Sequence, residues 1–348
     1  MAEAPQTAAE RMAAERLAQA RRAGEPAALA EALVERANQH VLRGELSVAR
    51  AELDEATALH HDRGSHYDEA RCAQLAAALY RLTGDYAAAR ARAGAALAAS
   101  GGDNPAAVAA LAELGDIALA EKQGGTAVDA YTRALDLGHA LGPNPPAEAL
   151  LLRHRAMARA LSGDALAAAD DLEQALVRLD AGDDVATARR VRVEFATACQ
   201  DGGDLARAVA VVDAAWPQAE AAADHAVLAD LALLRSAQAL ARDDAPAALA
   251  HAATAREHAL AGRAPQAYIA AAVALGQLHE TLGERAAAYA ALASGWVTLA
   301  DLLGPELARQ AFQPPLAGLR ARWGAAAFDA VKRDYEARQR QARTGGRS

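Results

Sequence analysis

The sequence predicts an all-α protein built as a solenoid of helix–turn–helix repeats. Three observations lead there. Of its 348 residues 53% are hydrophobic but only 4% aromatic, so alanine and leucine, both strong helix formers, must build the core. Alternating patterns and β-branched runs, the marks of strands, are nearly absent. The chain also repeats itself about every 40 residues, in five copies with glycine followed by an acidic residue.

The stretch "RLTGDYAAARARAGAALAAS" at 81–100 shows the unit. Five residues after Gly84 stands Ala89, and equivalent alanines stand at 49, 127, 168, 208, 248 and 288. Seven residues before the glycine position every copy is small: Ala37, Ala77, Gly115, Ala156, Ala196, Ser236 and Gly276. Twelve after it the same holds for Ala56, Ala96, Ala134, Ala175, Ala215, Ala255 and Gly295. Nine after it Leu53, Ala93, Tyr131, Leu172, Val212, Ala252 and Leu292 are apolar. An alanine-rich chain could fill one such column by chance, but hardly all of them together with the punctuation. Gly44, Gly84, Gly163, Gly203 and Gly283 suit the left-handed turn that ends a helix. Glu45, Asp85, Asp164, Asp204, Asp244 and Glu284 follow at the positive end of the next helix. In the third copy Lys122 holds the glycine position and the glycines slip to 124 and 125. One unit cannot bury its apolar face, but seven stacked units share a core, so the two domains suggested by length give way to one array.

In chain order, residues 1–24 carry an amphipathic capping helix, "TAAERMAAERLAQARR", and 25–303 hold the seven repeats. Asn104-Pro105 and "GPNPPAE" at 142–148 are helix starts, with proline in the first turn. Pro217 should kink or end its helix. Trp216 and Trp296 share the column of Leu97, Leu135 and Leu176 and are read as packing residues. Residues 304–342 form a degenerate eighth pair and C-terminal cap, whose first helix Pro314 and Pro315 must break. The basic run Lys332–Arg343 is interleaved with Asp334 and Glu336, as on a solvated helix face. The tail 343–348 is expected to be disordered.

These units resemble the tetratricopeptide repeat. The family's Leu-Gly pair and its spaced alanine–aromatic–alanine are met by "LAELGDIALA" with "AVDAYTRAL", and by "GDYAAARARAGAAL". The spacing resembles the longer variety found in bacterial transcription activators, peptide-pheromone receptors and kinesin light chains, over roughly residues 25–300. The resemblance implies a right-handed superhelix whose first helices line a concave groove. Carried over position by position, it implies a groove lined by Val34, Asn38, Arg71, Gln74, Arg81, Asp116, Arg153 and Met157, continuing through Arg190, Val193, Thr197, Gln200, Leu233, Val273, Gln277 and Glu280. Two departures stand out. The early aromatic of the first helix is missing, and Arg36, Arg155 and Arg235 fill a column that is usually apolar. First helices rotated relative to the short variety are therefore expected. "LLRHRAMAR" and "ARRVRVEF" crowd arginines into two neighbouring helices. Either these pair with acids on adjoining helices or stay solvated, or they form a groove that grips carboxylates through the planar guanidinium fork.

No nucleophile elbow, phosphate-cradling loop, dinucleotide fingerprint or His-Glu-x-x-His motif is present. The nearest metal candidate is "HHDRGSH", with His60, His61, Asp62 and His66. Adjacent histidines at a helix end tend to point apart and have a plain electrostatic role there, so no metal and no cofactor is expected. His40 and His279 share a column with Tyr80 and are read as packing or groove-lining. A net charge of −9 argues against nucleic acid and anionic membranes as partners. Cys72 and Cys199 lie far apart and suit a reduced compartment. The N-terminus lacks a signal-peptide core, and no uninterrupted apolar run approaches the length that crosses a bilayer.

The expectation is a cytoplasmic, non-enzymatic scaffold or adaptor that binds a protein or peptide in its groove. The partner would be acidic or carry a free C-terminal carboxylate, held through Arg153 and Arg190, and nothing indicates a homo-oligomer. The alternative is a regulatory sensor that binds a small ligand or peptide and passes the change to a separate output partner. An enzyme with a site assembled across repeats is the third reading.

Overall fold

In the computed structural model, which describes residues 8–345, the alanine columns fall where helix meets helix. Ala49, Ala89, Ala127, Ala168, Ala208, Ala248 and Ala288 are all fully buried. Where one column grows, its neighbour shrinks. Tyr131 is buried because Gly115 faces it; a Cβ on Gly115 would stand 2.6 Å from the ring. Leu292 lies in the same way against Gly276, at 3.0 Å. Gly295 admits the ring of Phe312, which a Cβ there would meet at 2.8 Å.

The described residues form 17 α-helices and no strand. Contacts divide the chain into two compact units, Met1–Val185 and Ala186–Ser348, where the repeat pattern predicts one array. The division falls at an exposed polar segment, 181–184, which has little apolar surface to bury. In the first unit α1 (Ala8–Ala23) lies against α2 (Pro26–Leu42), which pairs with α3 (Leu46–Asp62). The next pairs are α4 (His66–Leu82) with α5 (Tyr86–Ala99), α6 (Pro105–Ala120) with α7 (Gly124–Leu141), and α8 (Pro145–Leu161) with α9 (Ala165–Asp180). First helices also meet across repeats, α4 with α6 and α6 with α8. The second unit holds α10 (Val185–Asp201) and α11 (Leu205–Ala221), then α12 (His225–Leu240) with α13 (Ala245–Ala261). It ends with α14 (Pro265–Thr281) and α15 (Arg285–Leu303), then α16 (Pro305–Trp323) and α17 (Ala325–Gly345). Residues 343–345 are thus helical rather than disordered, and 346–348, like 1–7, lie outside the described residues.

Turn geometry explains the punctuation. Gly84 has φ +81°, and Lys122 in the third copy takes φ +60° despite its side chain. The slipped Gly124 does another job: a Cβ there would stand 2.3 Å from Ser162 Oγ and 2.9 Å from the Ala158 carbonyl oxygen, so it lets α7 start against the end of α8. Asp85, Asp164, Asp204 and Asp244 cap their helices through side-chain oxygens. Glu45 and Glu284 make no such cap and instead reach His40 (2.5 Å) and His279 (2.7 Å). The two histidines are therefore pairing residues as well as packing ones.

One expectation fails on packing and two others are qualified by it. Pro314 and Pro315 do not break α16, which runs through them; Pro314 faces solvent while Phe312 and Leu319 are locked in the core. Pro217 likewise lies inside α11 without ending it, on the exposed side opposite Ala215 and Ala219. And α15 is, by length and composition, apolar enough to cross a bilayer, with a mean hydropathy of 1.4. In the structure its Tyr289, Leu292 and Leu299 are buried in the core cluster with Phe312 and Phe328.

Candidate functional site

The unusual arginine column is answered by carboxylates on second helices, of which Glu52 and Asp171 are buried. Arg155 donates to the fully buried Asp171 through Nε (2.9 Å) and Nη2 (2.7 Å), and Arg159 Nη1 stands 3.0 Å from the same carboxylate. Arg36 binds Glu52 on α3 in the same way. Arg235 reaches Asp213 at 3.0 Å and stacks over the Trp216 ring at 4.1 Å. In the second unit Arg189 is engaged too, bound to Asp224 at 3.1 Å. For these side chains the pairing alternative holds.

Among the first helices of the first unit lies a cavity of about 670 Å³. Its lining is largely apolar, with Val108, Ala109 and Ala112 of α6, Leu135 and Leu141 of α7, Leu151 of α8 and, at the exposed rim, Leu150. Its polar wall is Gln74, Glu113, Asp116, Asn144, Glu148 and His154. Each carboxylate there is anchored from inside. Arg81 donates to Glu113 at 2.7 Å and stands 3.5 Å from Asp116. Asp116 accepts from Tyr131 Oη at 2.5 Å and lies 3.2 Å from His154 Nδ1. Glu148 is held by Arg178 at 2.8 Å. Burial pushes the Glu113 carboxyl above its usual range in spite of Arg81. Burial would raise Asp116 as well, but hydrogen bonds from His154 and Tyr131 and the charges around it bring it below. Burial and the bond to Asp116 push the Tyr131 hydroxyl far up, so it stays a donor.

The hollow can receive an apolar side chain while its rim meets polar groups. Neither cysteine lines it: both are buried, and burial pushes the Cys72 thiol up to about 11. Histidines 61 and 66 both turn to Glu69, at 2.9 and 3.5 Å, while His60 is buried. Among the described residues no group of three or more histidine, cysteine or acidic side chains is placed to hold a metal.

Solved structures resemble this arrangement over most of the chain. A signal-transduction ATPase with numerous domains from Pyrococcus horikoshii, which has a tetratricopeptide repeat sensor, matches 87% of this chain at TM-score 0.65 and 16% identity; the chain spans 46% of that protein. The apo form of RapI matches 89% of this chain and 92% of its own at TM-score 0.61 and 11% identity. A tetratricopeptide repeat protein from Parabacteroides merdae matches 82% and 98%, at 0.55 and 14%. The chain has the tetratricopeptide-repeat fold. No protein-family model and no curated protein matches its sequence.

On this tetratricopeptide-repeat frame only part of the implied groove comes together. Gln74 and Asp116 line the cavity and Arg81 braces it. On α8 it is His154, not Arg153, that lines the cavity; Arg153 is half-buried beside it and Met157 is exposed. Asn38 and Arg71 are exposed, and Val34 is half-buried in the first-repeat core. In the second unit Arg190 is exposed and acts electrostatically on Asp230, whose carboxyl is raised by burial. Val193 packs against Val212 and Leu231, and Thr197 bonds back to the Val193 carbonyl. Gln200 has a buried Oε1 without a partner, Leu233 packs beside Trp216, and Gln277 is exposed. Val273 packs against the last core cluster, and Glu280 is clamped by Arg322 (2.7 Å) and Trp323 Nε1 (2.9 Å), which removes it from an open groove. Glu113 and His154 were missed. Glu113 stands one turn before Asp116, and His154 one turn after Leu150, so helical spacing from those residues was the available signal.

Proposed function

We propose that this protein is a non-enzymatic scaffold that holds a segment of a partner protein along its first helices, anchored in the cavity between α6 and α8. One observation supports the reading above the rest: an apolar hollow whose polar wall is already fixed by partners within the protein. A preorganised site of this kind orders few groups on binding. Glu113, Asp116 and Glu148 give the wall an acidic cast, so the anchor is an apolar side chain flanked by neutral or basic residues. None of Arg71, Arg153 and Arg190, the arginines expected to meet an acidic partner, lines the cavity.

Selecting a random displayed-peptide library against the protein tests this. The expected binders share an apolar anchor and lose at least tenfold in affinity to Leu150→Arg, a change at an exposed rim position that leaves the helical spectrum intact. Binders that ignore Leu150→Arg would place the contact outside the cavity and contradict the reading.

A further inference from the structure

In the second unit a buried amide has nothing to bond. Gln238 on α12 is 4% exposed, and its Nε2 has no hydrogen-bond partner. A buried donor left unmade is costly, so native structures rarely keep one without cause. Gln238 lines a hollow of about 320 Å³ together with Leu205, Ala206, Val209 and Arg242. Leu205 and Ala206 are the first two residues of α11, so their backbone N–H groups precede the first intrahelical bond. The α11 cap Asp204 spends a carboxylate oxygen on the N–H of Arg207, and Asp244, next to the hollow in sequence, caps α13 through Ala247. A helix N-terminus, a guanidinium and an unmatched amide donor therefore border one small apolar space.

We propose that this hollow binds a short aliphatic carboxylate. The alkyl chain lies against Leu205, Ala206 and Val209. One carboxylate oxygen accepts from Gln238 Nε2 and the other faces Arg242, with the positive end of α11 adding to the field. The apolar floor and the scarcity of donors favour a carboxylate over a phosphate. The group is carried either by a free acid or by the last residue of a peptide. This site is separate from the cavity between α6 and α8 and stands or falls independently of it.

Isovalerate titrated into the full chain, followed by NMR of the Gln238 amide and the Val209 methyls, tests the proposal. The expected result is a saturable shift, at least tenfold weaker in Gln238→Leu and in Arg242→Ala, lost in Val209→Trp, and weaker for the neutral isovaleramide. Arg242 is exposed, so its variant stays informative if Gln238→Leu disturbs folding. A tripeptide ending in leucine, compared with its C-terminal amide, separates the sources: tighter binding than isovalerate assigns a peptide end, weaker or equal binding a free acid. No saturable shift in the native protein, or equal affinity in both polar variants, overturns the proposal; a higher melting temperature for Gln238→Leu without any binding would mark the amide as a buried defect.

Discussion

At Lys122 a residue with a β-carbon holds φ +60°, a turn that glycine fills at Gly44, Gly84, Gly163, Gly203 and Gly283. The left-handed region costs an L-residue about 1–2 kcal/mol, and glycine gives back about half of that as chain entropy. Lys122→Gly should therefore stabilise the protein by roughly 0.5–1 kcal/mol in urea denaturation. Asp243, at φ +58° in the sixth copy, should gain less, because aspartate tolerates this region better. Arg155 tests the opposite sign. Its removal leaves Asp171, with no solvent exposure, dependent on Arg159 alone, and a broken buried pair costs about 3–5 kcal/mol. The alanine columns were legible because each marks a close approach that recurs in every unit, and the turn glycines because five copies end a helix in the left-handed region. The carboxylates at Glu52 and Asp171 were not, since a lone acid in an amphipathic helix looks the same whether it meets water or an arginine.

Among elements, the helix starts were readable and the interruptions were not. Asp at the turn caps because its short side chain reaches the N–H three residues on, whereas Glu45 and Glu284 turn back to histidine. Proline signals a break only when local preference decides; in α11 and α16 the buried faces carry the helix through. The α12–α13 packing makes a pH prediction. His225 and His258 stack with their Nδ1 atoms 3.1 Å apart, and Trp216 stands edge-on to His258. Burial first, then His225, holds His258 below its usual value, with Glu257 and Glu220 opposing. A histidine depressed in the folded state contributes stability that is whole above its unfolded value, about 6.5, and is lost as pH falls through the folded one. Burial also lowers His60 and His251. Melting temperature should fall as pH drops from 7.5 to 5, and His258→Phe should flatten that slope.

For the whole molecule, the sequence carries what neighbours along the chain decide. Fold class and the helix pairs were legible because each repeat states them again. The cavity between α6 and α8 was not, because it depends on helix rotation, which shifts the lining residue on α8 from Arg153 to His154. Contacts mainly between neighbouring pairs also predict tolerance to removing one. Deleting 225–264 joins the cap Asp224 to Pro265, a sound helix start, and should leave a helical protein of lower melting temperature by circular dichroism. Loss of the helical spectrum would count against modular repeats. The central claim is that a partner segment anchors between α6 and α8, and methyl NMR of the native protein with a selected peptide tests it most directly. The methyls of Val108, Leu150 and Leu151 should show the largest shifts, with methyls outside the lining, such as those of Val177 on α9, unmoved. Unchanged cavity methyls beside strong shifts elsewhere would contradict it.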